Sequence, residues 1–304
     1  MSKVLEGKVI VVTGAGRGVG AEIAKLAAIE GAKVVVNDLG GNERGEGGEI
    51  GPAQEVVDLI RAAGGEAVAD GNNVASWDGA QALIKNAIDT YGKLDGVVNN
   101  AGILRDVIFH RMTEAEWDPV VDVNLKACFN VSRAAAPYFK EQNHGALVHM
   151  TSTSGLIGNF GQVNYGAAKM GVVGLSKCIA LDMAKFNVRS NCIAPFAYTR
   201  LVATIPDDTE YNRQRLEKVK KMTPDKIAPM VVALLSDAAS DVNAQIFGVR
   251  RNEIVLFSQP RPIRSVHTAE GWTPTTVIER ALPGLSGAYV PVEKSPEVFS
   301  WDPI

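Results

Sequence analysis

Three side chains able to handle a proton lie within one short stretch. They are Ser152, Tyr165 and Lys169 in S-T-S-G-L-I-G-N-F-G-Q-V-N-Y-G-A-A-K. Tyr165 and Lys169 are four residues apart, and a helix starting near Gln162 would put both on one face. A phenol in water ionises at about pH 10. A fixed ammonium beside it favours the phenolate and should lower that value. A tyrosine tuned in this way exchanges a proton with an alcohol or a carbonyl oxygen near neutral pH. Taken alone, Tyr-x-x-x-Lys is also an ordinary helix pair, so the elements around it must decide.

The elements that would position these groups alternate strand and helix along the chain. Lys8 to Thr13 is a continuous apolar run, the mark of a strand buried on both faces. Gly14, Gly18 and Gly20 follow in T-G-A-G-R-G-V-G, and a helical pattern runs from about Val19 to Glu30. Strand, glycine turn and helix in that order form a phosphate cradle. The glycines let the backbone approach a pyrophosphate, and the helix start supplies amides and a positive dipole end. Lys33 to Asn37 is the next strand, with Asp38 at its end, placed to bond the ribose hydroxyls of NAD and to repel the extra phosphate of NADP. Arg17 argues the other way, since a guanidinium suits a phosphate, but Asp38 sits nearer the ribose.

Gly40 to Gly51 is glycine-rich and charged, which predicts a mobile loop beside the adenosine. Further strands are predicted at Glu66–Ala69, Leu94–Asn99, Gly145–Thr151, Val188–Ala194, where Pro195 should stop the chain, and Gln245–Val249. Asn72 or Asn73, next to Val74, is either an adenine contact or a plain loop residue. Asn99-Asn100-Ala101-Gly102 supplies small residues against which a cofactor can lie. Helices are predicted at Pro52–Ala63, Trp77–Tyr91, Glu114–Lys140 with a break near Asp118-Pro119, Gln162–Phe186 and Lys226–Ser236. Asn124 lies inside one of them, where asparagine is a poor residue, so it marks either a local kink or a polar task. Phe196 to Lys221 is polar and should form a flap over the substrate.

These elements predict an α/β fold, a doubly wound seven-stranded parallel sheet flanked by helices. One domain covers 1–250, and 251–304 is an extension packed on it. Ser152 then falls at the carboxyl end of a strand, where such sheets hold their ligands. In the extension, His267, Arg250, Arg251, Arg261 and Arg264 read as a solvated face rather than an anion site.

Composition narrows the function. The chain has 304 residues, 46% hydrophobic, with a net charge of −3. It offers no basic footprint for nucleic acid and no polybasic membrane patch. No apolar run approaches a membrane span, and no secretory or peroxisomal signal is visible. Cys128, Cys178 and Cys192 all lie among apolar residues and read as buried thiols, with no metal site. The cytoplasm is the default compartment.

T-G-A-G-R-G-V-G, N-N-A-G and S-x12-Y-x-x-x-K together resemble the short-chain dehydrogenase/reductase family over roughly Glu6 to Val249. The resemblance implies that Tyr165 is the acid/base, that Lys169 lowers its pKa and holds the nicotinamide ribose, and that Ser152 bonds the substrate oxygen. It also implies that Asn124 anchors a proton-relaying water. Gly14, Arg17, Gly18, Val19, Gly20, Asp38, Asn73, Val74, Asn100, Ala101, Gly102 and Pro195, with Tyr165 and Lys169, would hold NAD. Family members usually carry Pro-Gly after the sixth strand, where this chain has Pro195-Phe196. N-D-L-G-G, N-N-A-G-I-L-R-D and G-N-F-G-Q-V-N-Y-G-A-A-K further resemble the (3R)-hydroxyacyl-CoA dehydrogenase branch. That likeness implies oxidation of a 3-hydroxyacyl-CoA, with a free hydroxysteroid as the alternative substrate and a non-catalytic cofactor-binding regulator as a remote one. The family resemblance further implies a homodimer or homotetramer paired through its long helices.

Overall fold

The apolar runs become strands because both faces of each are covered. β1 (Val9–Thr13), β2 (Lys33–Asn37), β3 (Glu66–Asp70), β4 (Gly96–Asn99), β5 (Gly145–Met150), β6 (Val188–Phe196) and β7 (Ile246–Arg250) pair in parallel. The computed structural model describes residues 3–42, 44–47, 51–198 and 210–303. An eighth strand, β8 (Glu253–Leu256), turns back antiparallel on β7, and the sheet order is β3-β2-β1-β4-β5-β6-β7-β8. Glu253 to Phe257 reads as strand-like from the sequence, and as an antiparallel edge it adds to the seven parallel strands expected. Arg251, in the left-handed region at φ 59°, makes the two-residue turn into it.

Helices cover the sheet as the alternation required. α1 (Gly18–Ile29) and α2 (Gly51–Ala62) lie on one face, where Ile10, Val12, Val34 and Val36 point. α3 (Trp77–Tyr91) lies on the other, against Val9, Val11, Val35 and Val97. Side chains alternate across a strand, so neighbouring valines serve opposite cores. The order of the sheet reverses between β1 and β4, and a cleft opens there above the strand ends.

The break in the long helix is not at Pro119. α4 (Glu114–Val121) runs through that proline, and the distortion comes after it, as a turn of widened π type at Asp122–Lys126 before α5 (Ala127–Gln142). Asn124 sits in the widened turn. β6 likewise runs past Pro195: Pro195 registers with Val249 and Phe196 with Arg250. Proline's fixed φ is compatible with an extended chain near the end of a strand.

α6 (Thr153–Leu156) is a single turn after β5, and α7 (Val163–Met183) follows. Residues 199–209 of the predicted flap lie outside the described residues. Its described remainder carries helix α8 (Glu210–Lys220), and α9 (Ala228–Leu235) packs with α1. In the extension, where Thr273-Pro274 should start a short helix through about Ala281, helical turns run on from Pro274 to Ser286.

Two sequence expectations fail at the surface. Cys178 is exposed, because its position on α7 faces away from the sheet, while Cys128 and Cys192 are buried. Burial pushes those two thiols up to about 11 and about 12, which makes them unreactive. Arg250 is not on a solvated face: it is 7% exposed, and Nη2 donates to the Trp301 carbonyl. Its guanidinium lies against the rings of Phe196, Phe299 and Trp301. The end of the extension folds back onto β6 and β7 and encloses it.

His149 on β5 is fully buried. Nδ1 faces the Asn99 amide at 3.1 Å and Nε2 faces the Ser190 hydroxyl at 3.1 Å. Burial, reinforced by the Lys169 charge, lowers its pKa from 6.5 to about 4. Between those values the unfolded chain binds a proton that the folded chain does not. Stability should therefore rise with pH across that window, by on the order of 3 kcal/mol from this residue, and be fully present above it. Urea midpoints measured at about pH 5 and pH 7 should differ less in His149→Gln than in the wild type.

Candidate active site

The cleft is built from the carboxyl ends of the parallel strands, and its volume is about 1600 Å³. The turn after β1 is pinned by β4. The Thr13 hydroxyl accepts from the amides of Asn100 (3.0 Å) and Ala101 (3.1 Å), and Asn100 Nδ2 donates to the carbonyls of Thr13 and Gly14. Gly14 has φ 60°, and a Cβ there would lie 2.7 Å from Ala101 Cα. Gly20 does not line the cleft. It lies beneath the turn, where a Cβ would come within 2.4 Å of the Gly14 carbonyl. Its role is close packing of α1 on the turn. Arg17, Gly18 and Val19 do line the cleft, with Arg17 at the start of α1.

Asp38 is held in place at the end of β2. One carboxylate oxygen accepts from Gly16 N at 2.8 Å and the other from Gly40 N at 2.7 Å. Asn72, Asn73 and Val74 line the same end. The two asparagine side chains are already engaged, Asn72 Nδ2 with Asp70 and Asn73 Oδ1 with the Ala75 amide. Asp70, which the sequence reading passed over, is a buried hub. It accepts from Asn37, Asn72 and Asn86 and so ties β2 to β3 below Asp38. A carboxylate ending an otherwise apolar strand was the available signal.

At the other end of the cleft the three proton-handling groups converge. Ser152 leaves β5 as the cap of α6, with its hydroxyl on the Ser154 amide and hydroxyl at 3.1 and 3.2 Å. The Ser152 side chain lies near enough to Tyr165 to favour its phenolate. Lys169 is 3% exposed, its ammonium donates to the Met150 carbonyl at 2.8 Å, and it stands 5.5 Å from the centre of the Tyr165 ring. The expected acidification of Tyr165 is not found in the chain by itself. Burial raises its pKa to about 12, the Ser152 side chain lowers it, and the Asp106 charge adds a further rise. The reason is that burial penalises the phenolate while the ammonium is turned onto a carbonyl rather than onto the phenol oxygen.

Asn124 is fully buried. Its amide donates to the carbonyls of Val120 and Ile103, both at 2.9 Å, which uses both hydrogens and leaves Oδ1 without a protein donor. That oxygen faces Gly102, on the same side as the Lys169 ammonium. Both readings of Asn124 therefore apply: it sits in the kink, and the kink presents a polar atom. Ala101, Gly102 and Pro195 line the cleft beside it. Sequence reasoning missed Asn164, which is fully buried beside Tyr165 and whose Oδ1 accepts from the Tyr165 amide.

A family model for short chain dehydrogenases matches residues 8–209. A short-chain type dehydrogenase/reductase of Mycobacterium tuberculosis is 49% identical over 256 residues, 83% of this chain and 86% of that one. The peroxisomal multifunctional enzyme type 2 of Drosophila melanogaster is 47% identical over 241 residues, which are 79% of this chain but 38% of that enzyme. A crystal structure of a short chain dehydrogenase from Mycobacterium avium superposes with a TM-score of 0.83 at 39% identity, covering 96% of this chain and 99% of the other. The chain belongs to the short-chain dehydrogenase/reductase family and is an oxidoreductase that uses a nicotinamide cofactor. Its cleft fits such a group: the glycine turn has no room for side chains, and Asn124 Oδ1 is a buried acceptor left open. Among the described residues no cluster could hold a metal, and no helix is long and apolar enough to cross a membrane.

Gly14→Ala should force a left-handed alanine against Ala101, at about 1–2 kcal/mol for the backbone alone. Thermal melting should fall by several degrees, and fluorescence titration with NADH should show about tenfold weaker binding.

Proposed function

We propose that this chain oxidises a secondary alcohol to a ketone with NAD, acting on the 3-hydroxyl of a (3R)-hydroxyacyl-CoA. The observation that carries the reading is the convergence of Ser152, Tyr165 and Lys169 on one end of a cleft whose other end holds Asp38. Asp38 supports NAD over NADP: its carboxylate is fixed by two amides at the end of β2, where an added phosphate would meet a like charge. The likeness to a peroxisomal multifunctional enzyme supports the acyl-CoA substrate. A free hydroxysteroid is the second reading, favoured by the apolar wall of Phe196, Met222 and Phe299 beside the catalytic groups.

The nucleotide, when bound, supplies the hydride acceptor. The glycine turn and Asp38 would hold it, with Val74, Asn100 to Gly102 and Pro195 along its length. The residues of this chain do the rest. Tyr165, as phenolate, takes the hydroxyl proton of the substrate. Ser152 holds the substrate oxygen and, with the Lys169 charge, stabilises the negative charge developing there. Asn124 Oδ1, an open acceptor, would anchor the water that carries the proton away by way of Lys169. We place the protein in the cytoplasm and expect a homodimer or homotetramer formed through α5 and α7, which leave Phe129, Met170 and Leu181 exposed. Light scattering reporting a monomer would refute that assembly.

Tyr165→Phe should lower turnover by on the order of a thousandfold while NAD binding is kept. A turnover close to wild type would sink the mechanism. With the phenol raised by burial, alcohol oxidation should climb with pH through neutrality and up to at least about pH 9, because the working form is the phenolate. A rate that levels off near pH 7 would show that the assembled complex acidifies Tyr165. Among substrates, 3-hydroxyacyl-CoA esters of graded length should outpace a 17-beta-hydroxysteroid; the reverse preference would move the assignment to the steroid.

A further inference from the structure

The glycine-rich insert after β2 does not read as a segment that would hold a shape. Six of its twelve residues from Gly40 to Gly51 are glycine, and ordering glycine costs more backbone entropy than ordering any other residue. Its described part is nevertheless a tight turn. Asn42 Oδ1 accepts from the amides of Arg44 and Glu46, and Asn42 N donates to the Glu46 carbonyl. Gly41, Asn42 and Gly45 line the cleft on the Asp38 side. Gly45 presses so closely on Ile103 that a Cβ there would stand 3.1 Å from it.

One side chain from another part of the molecule anchors this turn. Arg105 donates from Nε and Nη2 to the Arg44 carbonyl at 3.1 and 3.0 Å, and from Nη1 to the Ala115 carbonyl at 2.8 Å. The second acceptor is available for a local reason. Pro119, four residues after Ala115, has no N–H with which to close the helical bond. The backbone of Arg105 is itself fixed, because Asn164 Nδ2 donates to its carbonyl at 2.9 Å and to that of Glu116 at 2.8 Å. The planar guanidinium spans turn and helix at once, which a single ammonium cannot do.

We propose that Arg105 is a positioning residue for the cofactor, latching the turn of Asn42, Arg44, Gly45 and Glu46 to α4 across the nucleotide end of the cleft. The latch rests on the reading of this cleft as a nicotinamide nucleotide site. It also ties the cofactor turn, through Asn164, to the start of the helix that carries Tyr165. With the latch gone, the turn keeps its internal bonds and the contact of Gly45 with Ile103 but loses its hydrogen bonds to Arg105, and the nucleotide should leave faster.

The test uses the full chain, with NAD alone as the probe and no alcohol present. Calorimetry should show NAD binding weakened by about tenfold in Arg105→Ala, with Arg105→Lys failing to restore it. Hydrogen exchange at the amides of Gly45 and Glu46 should be faster by at least about tenfold in both variants, while the amides of β4 and β5 keep wild-type rates. Wild-type NAD affinity or unchanged exchange in Arg105→Ala overturns the proposal. If Arg105→Ala fails to fold, the lysine variant decides by the same two readouts. A wild-type chain that binds no nicotinamide nucleotide sinks the cofactor reading, and the exchange measurement still decides the latch.

Discussion

A buried ammonium has to be hydrogen-bonded or it will not stay charged, and one end of the cleft is arranged around that requirement. Lys169 lies deep between α7 and the end of β5, where its ammonium donates a hydrogen bond to the Met150 carbonyl. The Thr151 hydroxyl closes the same junction by donating to the Lys169 carbonyl. These two bonds set the rotation of α7 against β5. Tyr165, one turn earlier, is thereby aimed into the cleft, and Ser152, one residue past Thr151, meets it there. Shifting the helix by a residue would expose or orphan the ammonium, so its burial penalises every other register.

The other half of the cleft obeys a constraint of space rather than charge. Thr13, Asn100 and Gly20 hold the glycine turn from three sides, and none of them needs to touch a nucleotide to matter. Phe196 stands where the family resemblance implies a glycine. It packs on Phe299 at 4.8 Å and lies under the Arg250 guanidinium, which draws the C-terminal extension against the end of β6. The departure in sequence thus has a structural counterpart some hundred residues away.

Much of the fold was legible in the sequence, for a physical reason. Strands covered on both faces are largely apolar, as V-I-V-V-T in β1 and the three valines of β2 show. The boundaries that slipped, at Pro119 and Pro195, are places where tertiary neighbours outweigh a local preference. The kink is an instructive case. Proline suggested a break in the helix, but Pro119, inside α4, leaves the Ala115 carbonyl to Arg105, and the distortion moved on to Asn124.

By itself, the sequence determined the order of the elements, the glycine turn, the acid at the end of β2 and the presence of a serine, a tyrosine and a lysine at workable spacing. Those features are local, and short-range sterics and periodicity are enough to specify them. Only the tertiary structure decided that burial raises the tyrosine's pKa, that Asn124 offers an unpaired oxygen, that Cys178 faces outward, and that Arg105 reaches the turn at Arg44. Each of these depends on which distant atoms surround a group and how much water they exclude, and neither quantity is written in the spacing of residues along a chain.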